Sequence, residues 1–430
     1  MSDFLVTNAA TLDGDAVDVE IRDGRIDRIL PANSGDPDEF DADQHYDANG
    51  RLVTPTLTEI HTHLYAALTA GLERWNQSNT LEESLAIWEE ITTSDAWTKD
   101  EIKNRARTAV EWFAVHGVTR IRSHVGIDNP PALEAMLEVR DEVSDIADVQ
   151  LVAFPHDFVR EDTGLVELEE AIEMGADVIG GMPHGENTRE LGVEHVEILM
   201  DLAEEYDRPM DLHVDQTDDP NSRFTEVVAA EALDRDLGDR TAISHATAMH
   251  SYPNAYADKL CRLLAKSGVS IVTNPMTNAA LQGSYDDYPR RRGHTRIDEL
   301  LEKGVTVGMG HDGVIDTSHI YGDGDPLKTL FVLLHYGHMS GRSDVATLWN
   351  MIVSANSEIF GADPEEHELR EGAEGSLVVF DAPDSFNALR TIAPRTLVLR
   401  DGKPLARSER NSYLETAEGR RPVDLDYSFD

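Results

Sequence analysis

Eight short apolar runs punctuate the middle of this chain, at residues 57–63, 118–125, 149–154, 177–181, 210–215, 241–245, 269–273 and 305–310, and a helical segment follows each of them. Strands that lie parallel cannot be joined by tight turns; each needs a crossover back to the starting edge, usually a helix. Eight strand-then-helix units in roughly 300 residues therefore predict an α/β chain built as a closed parallel (β/α)8 TIM barrel. A doubly wound open sheet is the alternative, but no GxGxxG follows any strand and no GxxxxGK[ST] occurs, so the barrel is preferred. Helix punctuation agrees: Thr98 and Glu101 have the spacing of a capping box ahead of KDEIKNRARTAVEWFAV, and Gly117 closes that segment.

The two ends of the chain read differently. FLVTNA, VDVEIRDGRIDRIL and RLVTP at the start, and SLVVFDA and TLVLRDGKPLA near the end, alternate β-branched and polar residues. Asp23-Gly24 and Asp401-Gly402 are tight-hairpin signals. A small β-sandwich built from both termini is expected, with residues 1–55 and 366–430 contributing to it and the barrel occupying 56–365.

Charge narrows the function classes. With 82 Asp+Glu against 37 Lys+Arg the formal net charge is −45, which excludes binding to nucleic-acid backbones and to anionic membrane surfaces. Few of the basic residues are Lys. An acidic, Lys-poor chain of this kind is expected in a salt-rich cytoplasm, where dense cations screen carboxylate repulsion. The start MSDFLVTNAA has no basic, apolar leader, and no run nears the ~18 apolar residues of a spanning helix; a cytoplasmic location is expected. The single Cys261 lies in an apolar helical pattern and reads as a core thiol, not as a nucleophile.

The strongest chemical signal is EIHTHL. Residues two apart on a strand point to the same side, so His61 and His63 both face the barrel interior at the end of the first barrel strand. His213 in DLHVDQ, His245 in AISHATAMHS and Asp312 in GMGHDG stand at the ends of the fifth, sixth and eighth strands, the end at which barrel enzymes build their sites. Imidazoles together with one carboxylate suit a single borderline divalent ion, Zn²⁺ or Fe²⁺. Spacing alone does not say which imidazole is a ligand and which is catalytic. Polar loops at 74–80, 283–296 and 313–326 would sit over the barrel mouth, where a small-molecule substrate enters.

Several stretches together resemble the cytosine deaminase branch of the amidohydrolase superfamily: His61-Thr62-His63, Trp75-Asn76-Gln77-Ser78, His213-Val214-Asp215, Ser222-Arg223-Phe224, the segment from Ser244 to Tyr252, the segment from Tyr288 to Gly293, and Gly310-His311-Asp312. The resemblance runs from about residue 50 to 400. It implies that His61, His63, His213 and Asp312 hold one metal ion and that His245 stays off the metal and stabilises developing charge. It also implies self-association into a homo-oligomer. A bound divalent ion lowers the pKa of its water towards ~7. Asp312 can take the water's proton and return it to the leaving nitrogen.

Four positions depart from the family pattern. Gln216 stands where the family has a glutamate that protonates the pyrimidine ring; Gly313 replaces an acid; His156 replaces a glutamine that reads the pyrimidine edge; Tyr65 replaces an aspartate. His156, Gln216, Gly313 and Leu81 are the expected substrate-contacting positions, and His156 or Glu186 is the expected substitute acid. His124 reads as a packing imidazole or one standing just behind the metal ligands, and His250 as structural. Trp75, Asn76 and Gln77 read as lid or loop anchor, and Arg290-Arg291-Arg292 as a salt-bridge hub. The leading expectation is a metal-dependent deaminase of a small nitrogen heterocycle, cytosine by default. The alternatives are a hydrolase of another cyclic amide or amidine, and a non-catalytic metal-binding relative.

Overall fold

The computed structural model describes residues 3–41, 44–155, 164–416, 419–423 and 425–427. The N-terminal stretch forms β1 (Phe4–Ala10), β2 (Ala16–Arg22), β3 (Arg25–Pro31), β4 (His45–Asp47) and β5 (Val53–Pro55). The C-terminal stretch supplies four-residue and six-residue strands at Leu377–Phe380, Arg395–Arg400 and Lys403–Ala406. Both expected hairpin turns are present. Asp23 and Gly24 have φ of 50° and 80°, and Asp401 and Gly402 have 50° and 70°. This left-handed pair matches the twist of the flanking strands.

One sheet runs in the order β3-β2-β1-β4; in the other, β5 pairs with Leu377–Phe380, which is followed by the two remaining C-terminal strands. Phe4, Val6, Val19, Ile21 and Val53 share a buried cluster with Leu377, Val379, Leu397 and Leu399. Both ends of the chain thus complete one small core beside the barrel.

The barrel strands are β6 (Leu57–Thr62), β7 (Val118–Gly126), β8 (Asp148–Phe154), β9 (Val178–Ile179), β10 (Met210–Val214), β11 (Thr241–His245), β12 (Ser270–Thr273) and β13 (Val307–Met309), all paired in parallel and in sequence order. Helices follow as the pattern predicted. They include α1 (Leu81–Thr92) and α2 (Lys99–Val115) after β6, α3 (Ala132–Glu142) after β7, α4 (Gly164–Met174) after β8, α5 (Arg189–Glu205) after β9 and α6 (Phe224–Arg235) after β10. Two of the expected runs shorten: 177–181 keeps two strand residues and 305–310 keeps three. At α2, the Thr98 hydroxyl accepts from the Glu101 N–H.

The ladder between β6 and β13 is replaced by isolated bonds. The Asp312 N–H donates to the His61 carbonyl at 2.8 Å, and the Thr62 hydroxyl donates to the Asp312 carbonyl at 2.7 Å. At the opposite end of the same seam, the Asn356 amide donates to the carbonyls of Thr58 (2.7 Å) and Met309 (2.8 Å) and accepts from the Met309 N–H (2.8 Å). Ile60, Ala242, Val272 and Phe360 close that end with an apolar plug. Among the described residues, no helix is long and apolar enough to cross a membrane.

Candidate metal and substrate site

Strand periodicity stacks polar side chains in layers inside the barrel. Two residues below His213, Asp211 is fully buried; it accepts from the Ser244 hydroxyl at 2.7 Å and from the Arg122 guanidinium at 3.3 Å. Burial by itself would raise the Asp211 pKa, but the His124 ring and Arg122 hold the carboxyl below its ordinary value. Two residues below His61, the Glu59 carboxyl accepts the N–H groups of His61 and His311, and burial lifts its pKa to about 7. These buried groups orient the layer above them.

That upper layer brings together the imidazoles read from sequence. His63 Nε2 and His213 Nε2 lie 3.4 Å apart, and Asp312 Oδ1 lies 3.5 Å from His63 Nε2 and 3.9 Å from His61 Nε2. The His61 ring centre is 4.7 Å from that of His213 and 4.9 Å from that of His245. Phe154 stacks on His213 at 4.4 Å. Burial first, and the neighbouring imidazoles second, push His61 and His213 well below the usual histidine range, so both rings are neutral. Both ring nitrogens of His61 and Nδ1 of His213 are buried without a hydrogen-bond partner among the described residues. Burial, then the carboxylates of Asp316 and Glu59, raises Asp312 well above its ordinary value.

Unpartnered neutral imidazole lone pairs facing a carboxyl that lacks a counter-charge are what a divalent cation resolves. The donor set fits such an ion. Two groups have ligand atoms all within 4.8 Å of one another: His61, His245 and Asp312, and His61, His124 and His213. His124 thus lies immediately beside the centre. Its ring centre is 4.3 Å from that of His61, and its Nε2 is 3.6 Å from Asp211.

His245 stands at the end of β11 with its pKa pushed down to about 3, chiefly by burial. The Asn278 amide approaches its Nδ1 at 3.1 Å and that of Asn274 at 3.3 Å. With Nδ1 accepting, Nε2 carries the ring proton and is a donor.

His63, His213, His245 and Asp312 floor a cavity of about 90 Å³. Leu81 and Leu85 from α1, with Trp88, Phe154 and Met182, give it an apolar wall, and Gln216 and Asp316 add polar groups. Leu81 and Gln216, two of the expected substrate-contacting positions, both line it. His156 lies outside the described residues. Glu186 accepts from His195 Nδ1 at 2.9 Å and lines a neighbouring cavity that shares Leu81, Met182 and Gln216 with this one. Tyr65 packs edge-on against Trp88 at 5.2 Å.

Other motif residues have structural work. The Asp215 carboxylate accepts the N–H groups of Phe224 (3.0 Å) and Thr225 (2.9 Å) and the Ser222 hydroxyl (2.7 Å), which caps α6. The His250 ring binds the Thr247 carbonyl. Arg291 alone of the three arginines is the hub: it pairs with Asp286 at 2.7 Å and reaches the Ser251 hydroxyl. Asn76 donates to the carbonyls of Thr80 and Thr317 and is a loop anchor. Asp316 had no signal in the sequence; only the folded loop brings it to the cavity.

Comparison with known proteins gives a consistent result. The model of the "Amidohydrolase family" matches residues 88–406. The crystal structure of 5-methylcytosine deaminase from Klebsiella pneumoniae, liganded with 5-fluorocytosine, superposes with a TM-score of 0.90 at 37% identity, over 95% of this chain and 98% of that one. N-isopropylammelide isopropyl amidohydrolase of Pseudomonas sp. (strain ADP) is 26% identical over 418 residues, 95% of this chain and 98% of its own length. Pterin deaminase of Rhizobium rhizogenes is 27% identical over 399 residues, 91% of this chain and 88% of its own.

Proposed function

This chain belongs to the amidohydrolase family, and from that premise we propose that it deaminates a small amino-substituted nitrogen heterocycle of the cytosine type, releasing ammonia. It is a metal-dependent hydrolase of carbon–nitrogen bonds other than peptide bonds. The observation that carries the finer reading is the convergence of His63, His213, His245 and Asp312 on the floor of a cavity small enough for one heterocycle, with His61 grouped against His245 and Asp312. The full-length likeness to a 5-methylcytosine deaminase supports it.

His61, His63, His213 and Asp312 would hold one divalent ion, zinc or iron. Bound there, such an ion lowers the pKa of a coordinated water so that it loses a proton near neutral pH. Asp312, whose carboxyl lies 3.5 Å from His63 and 3.9 Å from His61, would take a proton from the attacking water and return it to the departing nitrogen. His245 donates its Nε2–H to the oxygen that gains negative charge. The ring lies against the apolar wall of Leu81, Leu85 and Trp88, which also accommodates a small alkyl substituent.

The test is ammonia release from cytosine and 5-methylcytosine by protein loaded with Zn²⁺ or Fe²⁺ in concentrated KCl. Steady release from either supports the reading. Ring opening of a cyclic amide without ammonia would replace it with the cyclic-amide alternative.

A further inference from the structure

A second carboxyl enters the cavity from an unexpected position. A Cβ built on Gly313 would fall 2.4 Å from Asp316 Oδ1 and 2.6 Å from its Oδ2. The Asp316 carboxyl therefore folds back over the backbone of Gly313 and fills the space that a side chain there would need. Asp316 is 5% exposed and lines the cavity together with Asp312, His245 and Gln216.

Its orientation is firmly set. Oδ1 accepts the N–H groups of Ser318 at 2.9 Å and His319 at 2.7 Å, which fixes the plane of the carboxyl. The loop itself is pinned to α1: Ser84 Oγ lies 2.8 Å from both Thr317 Oγ1 and Ser318 Oγ. Asn76 holds the Thr317 carbonyl at 3.1 Å. Oδ2 has no hydrogen-bond donor among the described residues. Held in a fixed plane at the cavity lining, that oxygen is available to accept from a ligand there.

We infer that Asp316 contacts the substrate, accepting a hydrogen bond from the amino group on the carbon under attack and so selecting amino-heterocycles over ring carbonyls. The inference rests on the deaminase reading above and names the residue that discriminates at that site. An ionised carboxylate only accepts, so a ring carbonyl in the same place sets two acceptors against each other. The Gln216 amide can present either a donor or an acceptor and makes no such distinction. Deamination converts the amino group into that carbonyl, so the same contact also disfavours retention of the product.

The experiment compares the wild-type protein with Asp316→Asn, both metal-loaded, for kcat and KM with cytosine and for inhibition by uracil. Asp316→Asn is expected to keep its metal content and melting temperature, to lose kcat/KM by about 10²-fold or more, and to lose the preference for cytosine over uracil. Turnover and preference within threefold of wild type would overturn the inference. The pair Asp316→Gly and Gly313→Asp/Asp316→Gly guards against a folding artefact, because the double variant returns a carboxyl to the neighbouring position and should recover at least tenfold of the loss. Should the wild-type protein release no ammonia from either cytosine or 5-methylcytosine, the deaminase reading fails. Tighter binding of 5-fluorocytosine than of 5-fluorouracil by that protein would still support the Asp316 contact, and equal binding would overturn it.

Discussion

His245 adopts left-handed backbone, φ 76°, at the end of β11, and Asp312 does so just past β13, φ 66°. Side chains other than glycine pay a steric penalty there, and such strain collects where a group must be aimed. In both cases the kink leaves the strand direction and turns the side chain over the cavity floor. The Asn278 and Asn274 amides then fix the His245 ring. His245→Gln is expected to lower kcat by about 10²–10³-fold, the usual loss when one donor to a developing charge is removed. Its metal content by elemental analysis should match wild type. Loss of the metal instead would assign His245 to the ligand set, which its grouping with His61 and Asp312 makes a sharp alternative.

The strands meet their positions by unequal means. Among the described residues, seven of the eight neighbouring strand pairs in the barrel form parallel ladders, whereas β6 and β13 are joined by the backbone near Asp312 and by the Asn356 amide. Asn356 uses both ends of its amide on groups that are otherwise unpaired in the barrel floor. Asn356→Ala would strand the Met309 N–H and the Thr58 carbonyl, each costing about 1–3 kcal/mol. A drop of at least about 2 kcal/mol in unfolding free energy, measured by urea denaturation, is the expected outcome. The loop carrying Asp316 depends on α1 in a similar way, through Ser84 and Asn76. This ties the cavity wall and the cavity floor into one unit.

For the whole molecule, charge and metal are the two large levers. Basic residues are shared among several acids: Lys103 bridges Glu138 and Glu142 at 2.5 and 2.7 Å, and the Arg235 guanidinium reaches Asp201, Glu204 and Glu231. This arrangement still leaves the formal balance at −45. Screening shortens from about 30 Å at 0.01 M salt to about 3 Å at 1 M. The melting temperature is therefore expected to fall by about 5 °C or more between molar KCl and dilute buffer. An unchanged value would remove the proposal of a salt-adapted protein. Metal acts by linkage: an ion that binds only the folded chain stabilises it by about 2.7 kcal/mol at a hundredfold excess over its Kd. Chelation should accordingly lower the melting temperature reversibly, with recovery on adding Zn²⁺. A chelator without effect on a metal-bearing sample would place the ion away from the barrel floor.

Much of this was legible before folding was considered. The barrel follows from eight strand-then-helix units, and the inward pair His61 and His63 follows from a two-residue period; both are properties of neighbours along the chain. The hairpins at Asp23-Gly24 and Asp401-Gly402 are local in the same sense, since only residues tolerant of positive φ fit there. Other features depend on contacts between distant segments and had no local signature. The proximity of His124 to His61 and Asp211 arises only when β7 lies between β6 and β8. The pairing of Glu186 with His195 likewise comes only from the fold. Gly313 looked like the loss of a carboxyl, whereas the turn from Gly313 to His319, pinned by Ser84 across the mouth, delivers Asp316 into the same space. Local periodicity was enough for the architecture and for the inward-facing imidazoles, because backbone geometry repeats along the chain. Which carboxyl lines the cavity was decided by loop closure and packing, because that depends on where the chain meets itself.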